Sequence, residues 1–305
     1  MPRTLTSRPA VLAAVVATVI GVVGTPAPGG ASGRYVNPQL LVETGELAGM
    51  LGTPSVRIVD LRSGTIGGPA YRVGHVPGAV HLDAAELDDP AANAEGLPIR
   101  PEAAAALFGR LGIDHETTVV AYDDGGSVLA ARLFFVLEYY GHERVRVLNG
   151  GLAKWRREGR PLESTVPAIT FRRFEPRPRR ELVATAAEVR AGLGKPEACL
   201  IDARSPGEFL GKDQRSARGG HIPGAANVEW TSTLNPDGTF KDGDALRALF
   251  EAAGVRPGRT VVVYCQSGSR SSQDYLALRL LGARVRNYDG SWMEWATTPA
   301  LPIER

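Results

Sequence analysis

The sequence predicts an α/β protein made of two tandem copies of one domain, each a central parallel sheet flanked by helices on both faces. Two observations predict it. Blocks of sequence recur in the same order about 140 residues apart, and within each copy short apolar runs alternate with helical patterns. VRIVDLR (Val56–Arg62) and GHVPGAVHLD (Gly74–Asp83) match CLIDARS (Cys199–Ser205) and GHIPGAANVEW (Gly220–Trp230). TVVAYDDGGSVLAAR (Thr118–Arg132) matches TVVVYCQSGSRSSQD (Thr260–Asp274), and VRVLNGGLAKW (Val145–Trp155) matches VRNYDGSWMEW (Val285–Trp295).

Residues 1–33 stand apart. Arg3 and Arg8 precede the uncharged apolar run Val11–Gly24, and the small residues TPAPGGASG follow. That order is the order of a secretory signal, so an exported protein, periplasmic or extracellular, is expected. The run is shorter than the roughly 20 apolar residues of a membrane span, so membrane contact would come only through an uncleaved leader. With no cysteine nearby, it cannot be a lipid anchor.

The first copy spans residues 34–160. Its IVDL and VVAY runs read as strands buried on both faces, and Ala103–Leu111 reads as a helix closed by Gly112. Residues 161–181, rich in proline and arginine without a sustained period, read as a linker. In the second copy, residues 182–305, Ala245–Ala253 ends at Gly254 and Val261–Tyr264 reads as a strand. A helix starts near Ser271, carries the i,i+4 pairs Leu276/Leu280 and Ala277/Leu281, and stops at Gly282.

Composition excludes several functions. A net charge of +2 over 305 residues is too small for binding nucleic acid by overall charge. Two cysteines make neither a disulfide framework nor a four-ligand zinc site, so no metal or cofactor is expected. Cys199 opens an apolar run and reads as core packing, though in an oxidising compartment it is a conceivable disulfide partner for Cys265.

Cys265 is different. It ends a strand of a parallel sheet at the edge where ligands gather, and five small or polar residues follow up to Arg270. Gln266, Ser267, Gly268 and Ser269 lack bulk, so the chain can curl with several N–H groups turned inward, and the next helix adds its positive end. Such a cradle favours thiolate over thiol and marks Cys265 as a nucleophile. Arg270 adds a permanent charge able to hold an oxyanion. Opposite Cys265 stands Asp123, with Asp124 beside it, and opposite Arg270 stands Val128. A carboxylate is no sulfur nucleophile, so the first copy reads as catalytically silent, a cover for one side of the pocket. His75 and His221 occupy matching places in both copies, which favours a structural role for each.

With DAR at Asp202–Arg204, GHIPGA at Gly220–Ala225, CQSGSRSS at Cys265–Ser272 and DGSWMEW at Asp289–Trp295, the chain from Tyr35 onward resembles the tandem-domain rhodanese family of sulfurtransferases, nearest the bacterial thiosulfate subgroup. The resemblance implies a ping-pong reaction. The Cys265 thiolate takes the sulfane sulfur of thiosulfate, sulfite leaves, and cyanide or a thiol removes the sulfur from the persulfide. It implies that the backbone of Gln266, Ser267, Gly268, Ser269 and Ser271 holds the persulfide and that Arg270 and Arg204 meet the donor's sulfonate, with Arg204 alternatively paired to Asp202. A small-molecule donor and acceptor and a monomer are expected. Gln266 departs from the arginine common after the nucleophile in thiosulfate-type loops, and Glu208 stands near where mammalian-type enzymes carry another arginine.

Three alternatives remain open from the residues. Mercaptopyruvate-specific relatives end their loop in valine–threonine, which CQSGSR lacks. A cysteine-based phosphatase or arsenate reductase is the second; cysteine phosphatases separate cysteine from arginine by five residues, one more than this chain does. The third, a non-enzymatic exported sulfur carrier or interaction module, would need no turnover.

Overall fold

The computed structural model describes residues 1–2, 33–62, 69–93, 98–195 and 199–305, so the apolar leader lies outside the described residues. In the first half, β1 (Leu41–Val42), α1 (Thr44–Met50), β2 (Val56–Asp60), α2 (Pro69–Val73), β3 (Val80–His81), α3 (Pro90–Asn93), α4 (Pro101–Arg110), β4 (Thr118–Tyr122), α5 (Val128–Tyr139), β5 (Val145–Leu148) and α6 (Gly151–Arg157) follow in order. The second half repeats the plan with α7 (Ala186–Gly192), β6 (Cys199–Asp202), α8 (Pro206–Phe209), β7 (Ala226–Asn227), α9 (Gly243–Ala252), β8 (Thr260–Tyr264), α10 (Ser269–Leu280), β9 (Arg284–Asn287) and α11 (Ser291–Thr297).

Both sheets are parallel, in the orders β1-β5-β4-β2-β3 and β7-β6-β8-β9. The second lacks a full counterpart of β1, whose place is taken by a single parallel bridge between Val183 and Asn287. Helices cover both faces, which is why β4 (TVVAY), β6 (CLID) and β8 (TVVVY) are apolar runs without polar alternation. The helices α4, α9 and α10 each stop at the glycine the sequence marked.

One apolar cluster runs through both halves, from Val119 and Phe134 to Val263 and Leu276, and two smaller clusters are confined to one half each. At the seam α5 lies against α10. The rings of Phe135 and Tyr275 meet edge-on at 5.0 Å, and the Glu138 carboxylate accepts from the Tyr275 hydroxyl at 2.7 Å and from Arg279 at 2.6 Å. This explains why α5 is buried along nearly its whole length. A helix covered on every side has no polar face to keep. Full burial of each leucine or phenylalanine there contributes about 1.5–3 kcal/mol.

The segment that reads as a linker is a strap along the first half. Arg172, Arg177 and Arg179 donate backbone N–H groups to the carbonyls of Gly109, Tyr140 and Tyr139 at 3.1, 3.1 and 2.7 Å, and Phe174 is buried against Phe108. A side chain at Gly109 would collide with the Arg172 carbonyl at 2.7 Å. Proline keeps the strap extended, and its N–H groups find partners on the domain surface. No helix among the described residues is long and apolar enough to cross a membrane.

Candidate active site

Cys265 follows the last residue of β8, a central strand, and so emerges at the carboxyl edge of the second sheet. The start of α11 fixes the chain as it leaves the strand. The Cys265 N–H donates to Ser291 Oγ at 3.1 Å, and the carbonyls of Cys265 and Gln266 accept from the N–H groups of Trp292 and Met293 at 3.0 and 2.9 Å. Gly268, with φ +88°, is the N-cap of α10, which begins at Ser269, two residues earlier than the sequence suggested. Only glycine fits there, because an added Cβ would lie 2.5 Å from Asp289 Oδ1.

This bend leaves a ring of donors. The first helical bond of α10 runs from the Ser272 N–H to the Gly268 carbonyl at 3.3 Å, and the backbone N–H groups from Gln266 to Ser271 meet no acceptor among the described residues. Those at the helix start are the unpaired donors every helix leaves at its N-terminus. Cys265 is 1% exposed yet belongs to none of the three apolar clusters, whereas Cys199 belongs to the large one.

The first half contains the same bend with a carboxyl built in. Asp123, at the place of Cys265, accepts the N–H groups of Gly125 and Ser127 at 3.0 and 2.9 Å on one oxygen and of Leu129 and Ala130 at 3.0 and 3.4 Å on the other. Burial pushes its carboxyl up, and those amides pull the other way. The matching donors in the second half belong to Ser267, Ser269, Ser271 and Ser272.

The remaining site residues divide. Gln266 Nε2 donates to Ser216 Oγ at 2.8 Å, which ties the loop to the segment after α8. Ser267 is half-buried in the loop, and Ser269 Oγ lies 3.5 Å from Asp88 Oδ2 of the first half. The Ser271 hydroxyl is fully buried and turned toward Asn287 Oδ1 at 2.7 Å, so only its amide faces the loop's work. Arg270 is held in a fork by Glu208 at 2.6 and 2.8 Å. Burial raises the Glu208 carboxyl, but the hydrogen bond and charge of Arg270 outweigh it and hold the group at about 2. Glu208, 1% exposed, also closes a capping box with Ser205. Sequence reasoning notices Glu208 only as a departure; its pairing across 62 residues leaves no local signal.

Arg204 takes the alternative partner, Asp202. It is 1% exposed, and its guanidinium is consumed by Asp202 at 2.6 Å and by the Gly220 carbonyl at 2.8 Å, over the face of Trp292. Arg62 repeats the arrangement in the first half with Asp60 and the Gly74 carbonyl at the same distances. A pair present in both halves and sealed from solvent braces the strand end. His75 and His221 likewise repeat one structural role, each with Nδ1 on a backbone carbonyl, of Tyr71 and Phe209. The conceivable disulfide is excluded by register. Cys199 pairs with Val261, four residues before Cys265, so the two lie about 13 Å apart along the sheet, too far to bridge.

A doubled parallel α/β unit with a cysteine in an amide-lined loop on one half and a carboxylate in the same loop on the other defines a tandem sulfurtransferase architecture. The Rhodanese-like domain family matches residues 43–158 and 185–298, and the chain belongs to that family. It is 38% identical over 290 residues to the sulfur carrier protein TtuD of Thermus thermophilus, covering 89% of this chain and 98% of that protein. Identity with the thiosulfate sulfurtransferase of Azotobacter vinelandii is 36%, covering 88% and 98%. Among solved structures, SseA of Escherichia coli, described with the 3-mercaptopyruvate sulfotransferases, superposes with TM-score 0.74 at 32% identity, covering 83% of this chain and 98% of that one.

Proposed function

We propose that this rhodanese-fold sulfurtransferase moves the sulfane sulfur of thiosulfate to a thiophilic acceptor through a persulfide on Cys265. The observation that carries the reading is the Asp123 loop. There the same backbone bend already directs amides onto a carboxyl acceptor borne by the residue at the nucleophile's position. A Cys265 persulfide would bring its terminal sulfur anion to the corresponding donors.

In the first step the Cys265 thiolate attacks the outer sulfur of thiosulfate. The sulfur–sulfur bond to the sulfonate breaks, and sulfite leaves with its electron pair. The product, a cysteine persulfide anion, carries the one negative charge that the thiolate brought. In the second step cyanide attacks the outer sulfur, thiocyanate leaves, and the thiolate returns; a cellular thiol would serve instead of cyanide. Ser291 Oγ and the α11 amides keep the strand end fixed through both steps, and the first half covers the pocket with Asp88. Named relatives with thiosulfate activity support the choice of donor. Mercaptopyruvate is the second reading. It is favoured by the likeness to SseA.

The reading includes export, supported by the leader pattern of residues 1–33. N-terminal sequencing of protein recovered from the culture medium or periplasm tests it; an intact Met1 there counts against cleavage. The catalytic reading is tested by assaying thiosulfate:cyanide and mercaptopyruvate:cyanide transfer, beside p-nitrophenyl phosphate hydrolysis, in wild type and Cys265→Ser. Thiocyanate from thiosulfate that vanishes in the variant supports it, and transfer that survives the substitution overturns it.

A further inference from the structure

Arg132 stands on α5, in the half without a nucleophile, and is 1% exposed. Its guanidinium crosses the seam. Nη1 and Nη2 donate to the two oxygens of Asp289 at 2.5 and 2.9 Å, and Nη2 also reaches the Leu87 carbonyl and Asp88 Oδ1, each at 3.0 Å. Both acids abut the Cys265 loop. Asp289 lies directly against Gly268 and accepts from Asn287 Nδ2 at 3.0 Å, while Asn287 donates to the Gly268 carbonyl at 3.2 Å and accepts from Ser271 at 2.7 Å. Asp88 lies 3.5 Å from Ser269 Oγ on the rim.

We propose that Arg132 is a positioning residue for sulfur transfer, supplied by the silent half: it seats Asp289 beneath Gly268 and offsets the two carboxylates that flank the amide ring. The proposal rests on the persulfide reading. With Arg132 the two acids leave at most one uncompensated negative charge beside an anionic intermediate; without it they leave up to two, burial of Asp289 working against its ionisation. Burial works against the charge of Arg132, and Asp289, Asp88 and, further down in weight, Cys265 outweigh it, which places the nucleophile within its electrostatic reach.

The duplication supplies the contrast. The residues at the places of Arg132 and Asp289 in the opposite copy are Asp274 and Asn149, so no guanidinium is directed at the Asp123 loop in this way. Asn149 instead accepts the Phe240 N–H at 2.9 Å and donates to Glu43 at 2.7 Å, and both oxygens of Asp274 lack a partner among the described residues. A bridge that merely cemented the two halves would serve either side of the pseudo-symmetric seam. This one is made only toward the loop that carries the cysteine.

The test uses the full chain and compares alkylation of Cys265 by anionic iodoacetate and neutral iodoacetamide at one neutral pH. The ratio of the two rates cancels any change in thiolate fraction and reports the local field. Arg132→Met is expected to lower that ratio about tenfold, with a comparable loss in thiosulfate kcat/KM. Adding Asp88→Asn to Arg132→Met should recover part of the ratio, and Arg132→Lys should keep most of it. A folded Arg132→Met with an unchanged ratio, or a loss equal for both reagents that Asp88→Asn does not relieve, overturns the proposal. If Arg132→Met does not fold, Asp88→Asn alone decides: the ratio should rise about threefold, and no rise overturns the proposal. Failure of the sulfur-transfer reading is seen separately, as a wild type that takes no sulfur from thiosulfate whatever its alkylation ratio.

Discussion

Asp123 and Cys265 occupy the same position in the two halves, and the Asp123 carboxyl accepts four backbone amides, of whose counterparts those of Ser267, Ser269 and Ser271 meet no acceptor among the described residues. One half fills the loop with a carboxyl of its own. The other places Cys265 at the same point of the loop. Duplication of one fold thus gave one copy whose loop is satisfied from within.

Removing the built-in carboxyl should cost stability and not chemistry. Asp123→Ala would strand the amides of Gly125, Ser127, Leu129 and Ala130, and a loss of about 2–4 kcal/mol in urea unfolding is expected. The folded variant should transfer sulfur at the wild-type rate per molecule.

Gly268→Ala attacks the open loop itself. The new methyl would need a backbone φ near +88° and would meet Asp289 Oδ1 at 2.5 Å, so the loop must shift. Transfer should fall at least tenfold, while Gly254→Ala, also at positive φ but in open space and far from the site, should leave kcat/KM unchanged.

The Arg270–Glu208 pair makes a statement about acid stability. Glu208 titrates at about 2 in the folded protein, below its ordinary 4.5. Its contribution is therefore fully present above pH 4.5 and is lost as pH falls from there toward 2. Glu208→Gln should lower the urea midpoint at pH 7, and the gap from wild type should narrow steadily below pH 4.5. A gap constant from pH 7 to pH 3 would contradict the pairing. At pH 7 the variant should also show a lower KM for thiosulfate, because Arg270 is released.

Cys265 is nearly sealed, and the Gln266–Ser216 hydrogen bond closes one side. Ser216→Ala should raise the rate of Cys265 alkylation by iodoacetamide several-fold without changing the unfolding free energy by more than about 1 kcal/mol. Cys199→Ser should leave that rate unchanged, since its strand position is about 13 Å away.

Much of this is legible in the sequence because it is local. The strand before Cys265, the glycine-led bend and the helix after it occupy consecutive positions, and duplication exposes Asp123 by simple alignment. Arg204 is legible only as an alternative, since an Asp-x-Arg pair looks the same whether its guanidinium faces solvent or the interior. Its match in Arg62 is the signal that decides it. The Glu208–Arg270 fork and the Arg132–Asp289 bridge are not legible, because they join residues 62 and 157 positions apart whose proximity depends on how strands and halves assemble. The strap after α6 reads as a linker for the same reason: proline and arginine exclude a helix but do not say that the backbone will find Gly109 and Tyr140.

The most direct measurement is intact and peptide mass spectrometry after mixing reduced protein with thiosulfate and then with cyanide. The expected result is a gain of about 32 Da located on Cys265, lost on cyanide with one equivalent of thiocyanate formed, and absent from Cys265→Ser. A wild type that gains no mass, or that gains it elsewhere than Cys265, contradicts a persulfide held by the loop's amides.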